Sequence, residues 1–290
     1  MLFDYTPLVK HERQWVSHDS SESTQKESNL MGTAQVQGEL WSVQARNWAN
    51  LIERFHAPLY KSVFDRVGVN RGTRLLDVGC GAGLAAQLAK ELGAQVTGID
   101  AAPALIEIAR ERVPDGDFRV GDMEELPYTE ASFEVVTGFN SFPHAAKPVV
   151  ALKEAKRVAR VGGQVAMVTW GKPQDCEHAA IMAAIAAFLP APPTGAGGLF
   201  ALSEPGRLEA LLEQAGLIAG ESGEIAGTFA WPDDETAWKA ISSAANTVMA
   251  VRYVGEEKVR QAVLDSLAPF RTSNGGYREE NKFRYVIATA

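Results

Sequence analysis

The chain has 290 residues, with 28 Lys and Arg against 36 Asp and Glu for a formal net charge of -8, and 46% hydrophobic against 22% charged residues. This composition suits one large globular domain, or a core domain with an added cap, and excludes a disordered chain, a collagen-like repeat or a coiled-coil rod. The acidic balance repels phosphate backbones and disfavours a nucleic-acid substrate, and no run approaches the roughly 20 apolar residues that span a bilayer.

Residues 17–28 are polar and Ser-rich and cannot bury enough apolar area to offset their ordering entropy, so residues 1–38 are expected to form a flexible leader. Met1 to Trp15 interleaves charges among apolar positions and lacks the core of a secretory signal. From Leu40 to Val67 apolar residues recur at helical spacings, predicting one or two amphipathic helices with a break at Pro58 and an end near Gly68. The pattern then alternates. Strands are expected at 74–78, 95–100, 118–120, 133–139 and 164–170, with helices near 84–92, 103–113 and 148–158. Short apolar strands joined by helical crossovers require a parallel sheet covered on both faces, hence a doubly wound α/β domain.

Beyond Trp170 the alternation loosens. An Ala-rich helix near 177–188 runs into the breaker cluster Pro190–Gly198, expected as a surface loop. A helix over 205–215 has Ser203 as its expected cap and Gly216 as its stop. A strand near 217–231, helical material over 233–270 and a closing strand over 282–289 complete the chain. Residues 39–290 thus read as one domain. Its core covers about 68–172 and 204–231 with the closing strand, and its cap helices fall in 40–67, 176–200 and 233–270.

The chemistry concentrates in Leu75-Leu-Asp-Val-Gly-Cys-Gly-Ala-Gly-Leu84. Glycines at 79, 81 and 83 lie at a strand-to-helix turn, where the missing Cβ lets backbone amides approach a ligand. A dinucleotide fingerprint would place its third glycine at position 84, which is Leu84; Asp77 precedes the turn, and Asp100 closes the second strand about 20 residues on, where a carboxylate can hold a ribose. A tight turn without a ligand is the plainer alternative, made less attractive by Asp100.

On these residues the chain resembles the class I S-adenosylmethionine-dependent methyltransferases of the small-molecule type with a helical cap, closely over 40–172 and loosely beyond. The resemblance implies a Rossmann-like seven-stranded sheet with its last strand antiparallel, amino-terminal and inserted cap helices, and S-adenosyl-L-methionine as cofactor. It carries Asp77, Gly79, Cys80, Gly81 and Gly83 to the cofactor turn, Asp100 and Ala101 to the ribose, and Asp122 and Met123 to the adenine. Phe139 and Asn140 fall at the methionine end, and Trp48 on an amino-terminal lid, with Arg46 as a second lid contact. The plainer reading of Trp41 and Trp48, seven residues apart, is a helix packed on the sheet.

His144, just past Phe139-Asn-Ser-Phe-Pro143, is the candidate general base, with a loop histidine packed on the cofactor rim as the alternative. His56 and His178 are further candidates to face the pocket. Phe188, Phe200, Trp231 and Trp238 belong to the cap, where any that line the pocket would favour an apolar or aromatic substrate. Asn140-Ser-Phe-Pro143 is not the base-flipping motif of amino-methylating DNA enzymes. Neither Cys80 nor Cys176 suits ring-carbon methylation, and their spacing gives no disulfide framework and no metal site. The expectation is a cytoplasmic monomer or homodimer, without bound metal, nucleic acid or membrane, that methylates O, N or C of a small metabolite. A cofactor-binding regulatory module without catalysis and a nicotinamide oxidoreductase are the competing readings.

Overall fold

The computed structural model describes residues 33–190 and 200–290. The expected leader therefore lies mostly outside the described residues, as does the expected loop from residue 191. The last part of the presumed leader is not a tail: α1 spans Ala34–Ser42, Gly38 is buried, and Thr33 Oγ1 donates to the His144 carbonyl at 2.7 Å. The polar run that suggested a leader ends before this helix begins.

Seven strands form one sheet in the order β3-β2-β1-β4-β5-β7-β6. They are β1 (Arg74–Val78), β2 (Gln95–Asp100), β3 (Asp117–Val120), β4 (Phe133–Phe139), β5 (Ala159–Trp170), β6 (Ile218–Trp231) and β7 (Tyr277–Thr289). The pairings among β1 to β5 are parallel, and β7 runs antiparallel to both β5 and β6. The seven-stranded doubly wound sheet and its antiparallel last strand are as expected.

Period-2 alternation sorts each strand onto two layers. Leu75, Val135, Ala166, Val168, Phe283, Tyr285 and Ile287 pack on one face, against α3 (Ala57–Arg66) and α4 (Leu84–Glu91). Leu76, Val78, Val136, Val165, Met167, Val286 and Ala288 pack on the other, against α6 (Pro148–Val158) and α8 (Arg207–Gln214). α5 (Pro103–Arg112) follows β2. Leu105 and Ile108 of α5 meet Ala45 and Ala49 of the amino-terminal segment, which runs through α2 (Ala45–Asn47), a π-helical turn (Trp48–Ile52) and a 3₁₀ turn (Glu53–His56) into α3. Pro58, expected to break this segment, sits in the first turn of α3, where a proline's missing N–H costs nothing.

The later helices are α7 (His178–Ala186), α9 (Asp234–Ile241), α10 (Ala245–Val254) and α11 (Glu256–Leu267). Asp233 caps α9 by accepting the Thr236 N–H at 2.7 Å. Ser203 does not cap α8. Its hydroxyl turns back to the Phe200 carbonyl at 2.7 Å, and Gly206 occupies the cap position with φ +78°. The closing strand starts at Tyr277, five residues before its expected start, because β7 pairs with β6 as far as Trp231. Among the described residues no helix is long and apolar enough to cross a membrane.

Two features of β1 and its turn test this packing. Asp77 is 2% exposed, and its Oδ1 accepts the Thr137 hydroxyl of β4 at 2.8 Å. Burial pushes its carboxyl up to about 7. The folded chain therefore keeps a proton that the unfolded chain sheds near pH 4, and stability is lost as pH rises through 7. Urea unfolding at pH 5 and pH 8 should show the parent losing on the order of 3 kcal/mol more than Asp77→Asn; equal losses would refute the buried-proton account. Gly83 has φ +81°, and a Cβ there would lie 2.8 Å from Ala109 Cβ, so Gly83→Ala should cost about 2–4 kcal/mol in the same assay.

Candidate active site

The first strand and second strand are laced together at their carboxyl ends. Gly79 and Cys80 both donate backbone N–H groups to the Ile99 carbonyl, at 2.7 and 3.0 Å. Gly79 has φ +71°, and a Cβ there would meet Ser141 Cβ at 2.3 Å, so only glycine lets the turn pass beneath the end of β4. The Asp100 carboxylate accepts the Gly81 N–H on one oxygen and the Ala102 N–H on the other, each at 2.9 Å. This fixes its orientation while leaving lone pairs for a ligand.

A second carboxylate completes the turn. Glu53, from the 3₁₀ turn before α3, is buried; its Oε1 accepts the Ala82 N–H at 3.1 Å and the Leu84 N–H at 3.4 Å, and its Oε2 pairs with Arg112. Arg112 also donates to the carbonyls of Ala82 and Ala49, at 2.9 and 3.0 Å. Burial raises the Glu53 pKa while Arg112 opposes that rise. Sequence reading missed both residues. The only signal was a charge inside an apolar helical stretch, with nothing in one dimension to link it to Arg112.

Above these strand ends lies a cavity of about 710 Å³, well within the roughly 300–1,000 Å³ of small-molecule sites. Trp48, Gly79, Gly81, Asp100, Ala101, Asp122, Met123, Phe139, Asn140 and His144 all line it. Asp77, Cys80 and Gly83 do not. Asp77 is turned into the sheet onto Thr137, Cys80 is buried behind the turn, and Gly83 lies against Ala109. Asp122 forms a tight turn, accepting the Glu124 N–H at 2.9 Å. Asn140 is held at φ +55°, and its buried Oδ1 has no hydrogen-bond partner among the described residues.

Trp41 and Trp48 meet edge to face with ring centroids 4.7 Å apart, and both line the cavity. Arg46 points elsewhere, bridging Glu111 at the surface at 2.6 Å. His144 packs 6.0 Å from Trp41, ring to ring, and burial lowers its pKa.

The other end of the same cavity is aromatic. Trp170, Phe200 and Phe229 line it together with Met182, Ile185 and Leu189. His56 and His178 also line it; Phe188, Trp231 and Trp238 lie outside the lining. His178 Nδ1 lies 2.7 Å from Glu279 Oε2, and the His178 backbone N–H donates to Asn281 Oδ1 at 3.0 Å. Glu279 and Asn281 were missed because the closing strand was expected to begin at Lys282. Counting back by twos from Phe283 would have placed both on the buried face.

The donor set fits S-adenosylmethionine. Asp100 and Asp122 supply carboxylates for hydroxyl and amino groups, Met123 and Ile99 supply apolar surface for a purine, and the Asn140 amide oxygen is an unused acceptor beside the turn. Among the described residues no group of three or more His, Cys, Asp or Glu is placed to hold a metal.

Comparison with known proteins agrees. Residues 76–167 match the family model described as a methyltransferase domain. The chain is 35% identical over 153 residues to the ubiquinone biosynthesis O-methyltransferase of Xanthomonas axonopodis pv. citri (strain 306), covering 50% of this chain and 63% of that one. It is 31% identical over 130 residues to the demethylmenaquinone methyltransferase of Renibacterium salmoninarum, covering 45% and 50%. The matched segments thus span between half and just under two thirds of these curated relatives.

Among solved structures, a chain of the complex between the Haloferax volcanii Trm112 methyltransferase activator and a methyltransferase aligns with a TM-score of 0.55 at 18% identity, over 86% of this chain and 96% of that one. YcgJ from Bacillus subtilis aligns with a TM-score of 0.53 at 18% identity, over 79% and 97%. At such identity the likeness concerns the fold alone. The segment matched by the family model runs from β1 into β5 and contains every strand-end residue on the carboxylate-lined half of the cavity; over these residues the chain is similar to a methyltransferase domain.

Proposed function

We propose that this chain transfers the methyl group of S-adenosyl-L-methionine to a small, uncharged, apolar or aromatic acceptor enclosed between the sheet and the cap. The observation that carries this reading is one cavity with two chemically different ends, a glycine turn flanked by carboxylates and a chamber of aromatic side chains. Asp100 holds the ribose, with Ala101 beside it. Asp122 and Met123 take the adenine side, and Gly79, Gly81, Phe139 and Asn140 enclose the methionine end under Trp48.

When bound, the sulfonium supplies an activated methyl group with a neutral thioether as leaving group. The chain supplies alignment and exclusion of water, worth up to roughly 7–11 kcal/mol in well-oriented cases. Trp41 and Trp48 cover the amino-terminal side of the cavity, and Asp100, fixed by two backbone N–H groups, needs no reorganisation to receive hydroxyls. The name of the Xanthomonas relative supports oxygen as the acceptor atom. The cavity end that would receive the acceptor has no lysine or arginine among its described lining residues, which favours an uncharged molecule.

Calorimetry tests the cofactor assignment. S-adenosylmethionine should bind and NADH should not, and Asp100→Ala should weaken the cofactor by about 1.5–3 kcal/mol. Unchanged affinity in that variant would remove the ribose role. Tight cofactor binding without turnover of labelled methyl onto phenols, amines or keto acids would favour the regulatory module.

A further inference from the structure

Among the described residues three histidines line the cavity, and they differ in whether a carboxylate meets the ring. His144 has the Trp41 ring as its aromatic neighbour, and burial lowers its pKa with no carboxylate opposing it. His56 is buried among Trp48, Tyr60, Phe229 and Phe283, with Nδ1 lacking a partner among the described residues. Burial pushes its pKa down to about 4. Neither site offers an imidazolium a counterion.

His178 does. Its Nδ1 meets Glu279 Oε2 at 2.7 Å, and Glu279 is fully buried. An Nδ1–H donated to that carboxylate fixes the tautomer with the lone pair on Nε2, which has no hydrogen bond among the described residues. The ring is stacked on Trp170 at 5.6 Å and 10°, and it stands edge-on to Phe229 at 5.4 Å. Its backbone is pinned to β7: Glu177 N–H donates to the Glu280 carbonyl at 3.0 Å, and His178 N–H donates to Asn281 Oδ1 at 3.0 Å. The imidazole is thus held from two sides, with a carboxylate behind it and the aromatic chamber before it.

We propose that His178 is the general base of the reaction, taking the hydroxyl proton of a phenol-type acceptor whose ring lies among Trp170, Phe200 and Phe229, with Glu279 as the positioning residue. This rests on the methyl-transfer reading above. The acceptor's O–H bond breaks and its proton passes to His178 Nε2. The freed oxygen pair forms the bond to the methyl carbon, and the pair of the breaking C–S bond stays on sulfur. The imidazolium, paired with Glu279, returns its proton to solvent as product leaves. A neutral phenol needs such a base more than an amine does. A carboxylate- or phosphate-bearing acceptor would meet no cation among the described lining residues.

The test uses the full chain with labelled S-adenosylmethionine and uncharged phenols graded in acidity, alongside matched amines. Phenols should be methylated in preference to amines. His178→Asn should lower kcat on weakly acidic phenols by about 10²–10⁴-fold, and by less than tenfold on phenols already ionised at the assay pH. Glu279→Gln should lower kcat with KM within about threefold. Calorimetry with S-adenosylmethionine should give parental affinity in both variants; failure of the parent itself to bind the cofactor would strike the methyl-transfer reading, not this one.

A second readout needs no turnover. Titrating a weakly acidic phenol into the ligand-free protein should move the His178 imidazole NMR resonance, assigned by its loss in His178→Asn and in His178→Gln. A perturbation confined to His144 or His56, a larger kcat loss in His144→Gln than in His178→Asn, an equal loss across all phenols, or a preference for amines would each overturn the proposal.

Discussion

The Glu53 carboxylate is the constraint on which the site depends. It is an anion removed from water, and that is costly unless its oxygens are all occupied. Here they are occupied by two backbone N–H groups of the glycine turn and by Arg112 from the end of α5. One side chain thereby joins three elements far apart in sequence: the amino-terminal segment, the start of α4 and the end of α5. Trp48 and His56 are carried over the cavity by the segment that Glu53 anchors, so the roof of the site and the glycine turn share one fastening. An acidic group at the start of a helix also suits the local field of the unpaired N–H groups there.

The cavity is divided by charge. Carboxylates face it where the strands of the family-matched segment end, and aromatic rings and imidazoles face it beneath the cap. Water exclusion has opposite consequences at the two ends. It strengthens the hydrogen bonds that Asp100 and Asp122 make to polar groups, and it makes any unpaired charge on an acceptor expensive. His178 and Glu279 form the exception under the cap, a buried pair whose carboxylate has its own imidazole in place of a ligand cation. One space thus holds a carboxylate-lined region and an aromatic region side by side.

Much of the sheet was legible because its signals are local. The alternation of apolar strands with crossover helices, the Gly79–Gly83 turn and the carboxylate at Asp100 each lie within a few residues, so spacing alone placed β1 to β4 and the helices between them nearly to the residue. What escaped was decided in three dimensions. Nothing near Glu53 announces Arg112, and Asp77 reads as a ligand group although its oxygen is spent on Thr137. The closing strand was drawn short because Arg278, Glu279, Glu280 and Asn281 look like a polar loop, whereas long pairing with β6 extends it and turns Glu279 and Asn281 inward. The presumed leader was drawn long for a related reason: Gln35, Gln37 and Glu39 make the first helix polar in composition, while Gly38 and Leu40 supply its narrow contact face.

The position of β7 has a consequence for the order in which the protein can assemble. Ala166 pairs with Ile287, and β6 reaches the sheet only through β7, so the edge of the sheet that carries Phe229 and Glu279 cannot form until the last strand slots between its neighbours. The carboxylate-lined half is built from contacts among β1 to β5, made over shorter stretches of chain. Loop-closure entropy favours those first. The aromatic chamber is thus the part of the molecule that loop-closure entropy places last, and substitutions there can reshape it while leaving the β1 to β5 nucleus undisturbed.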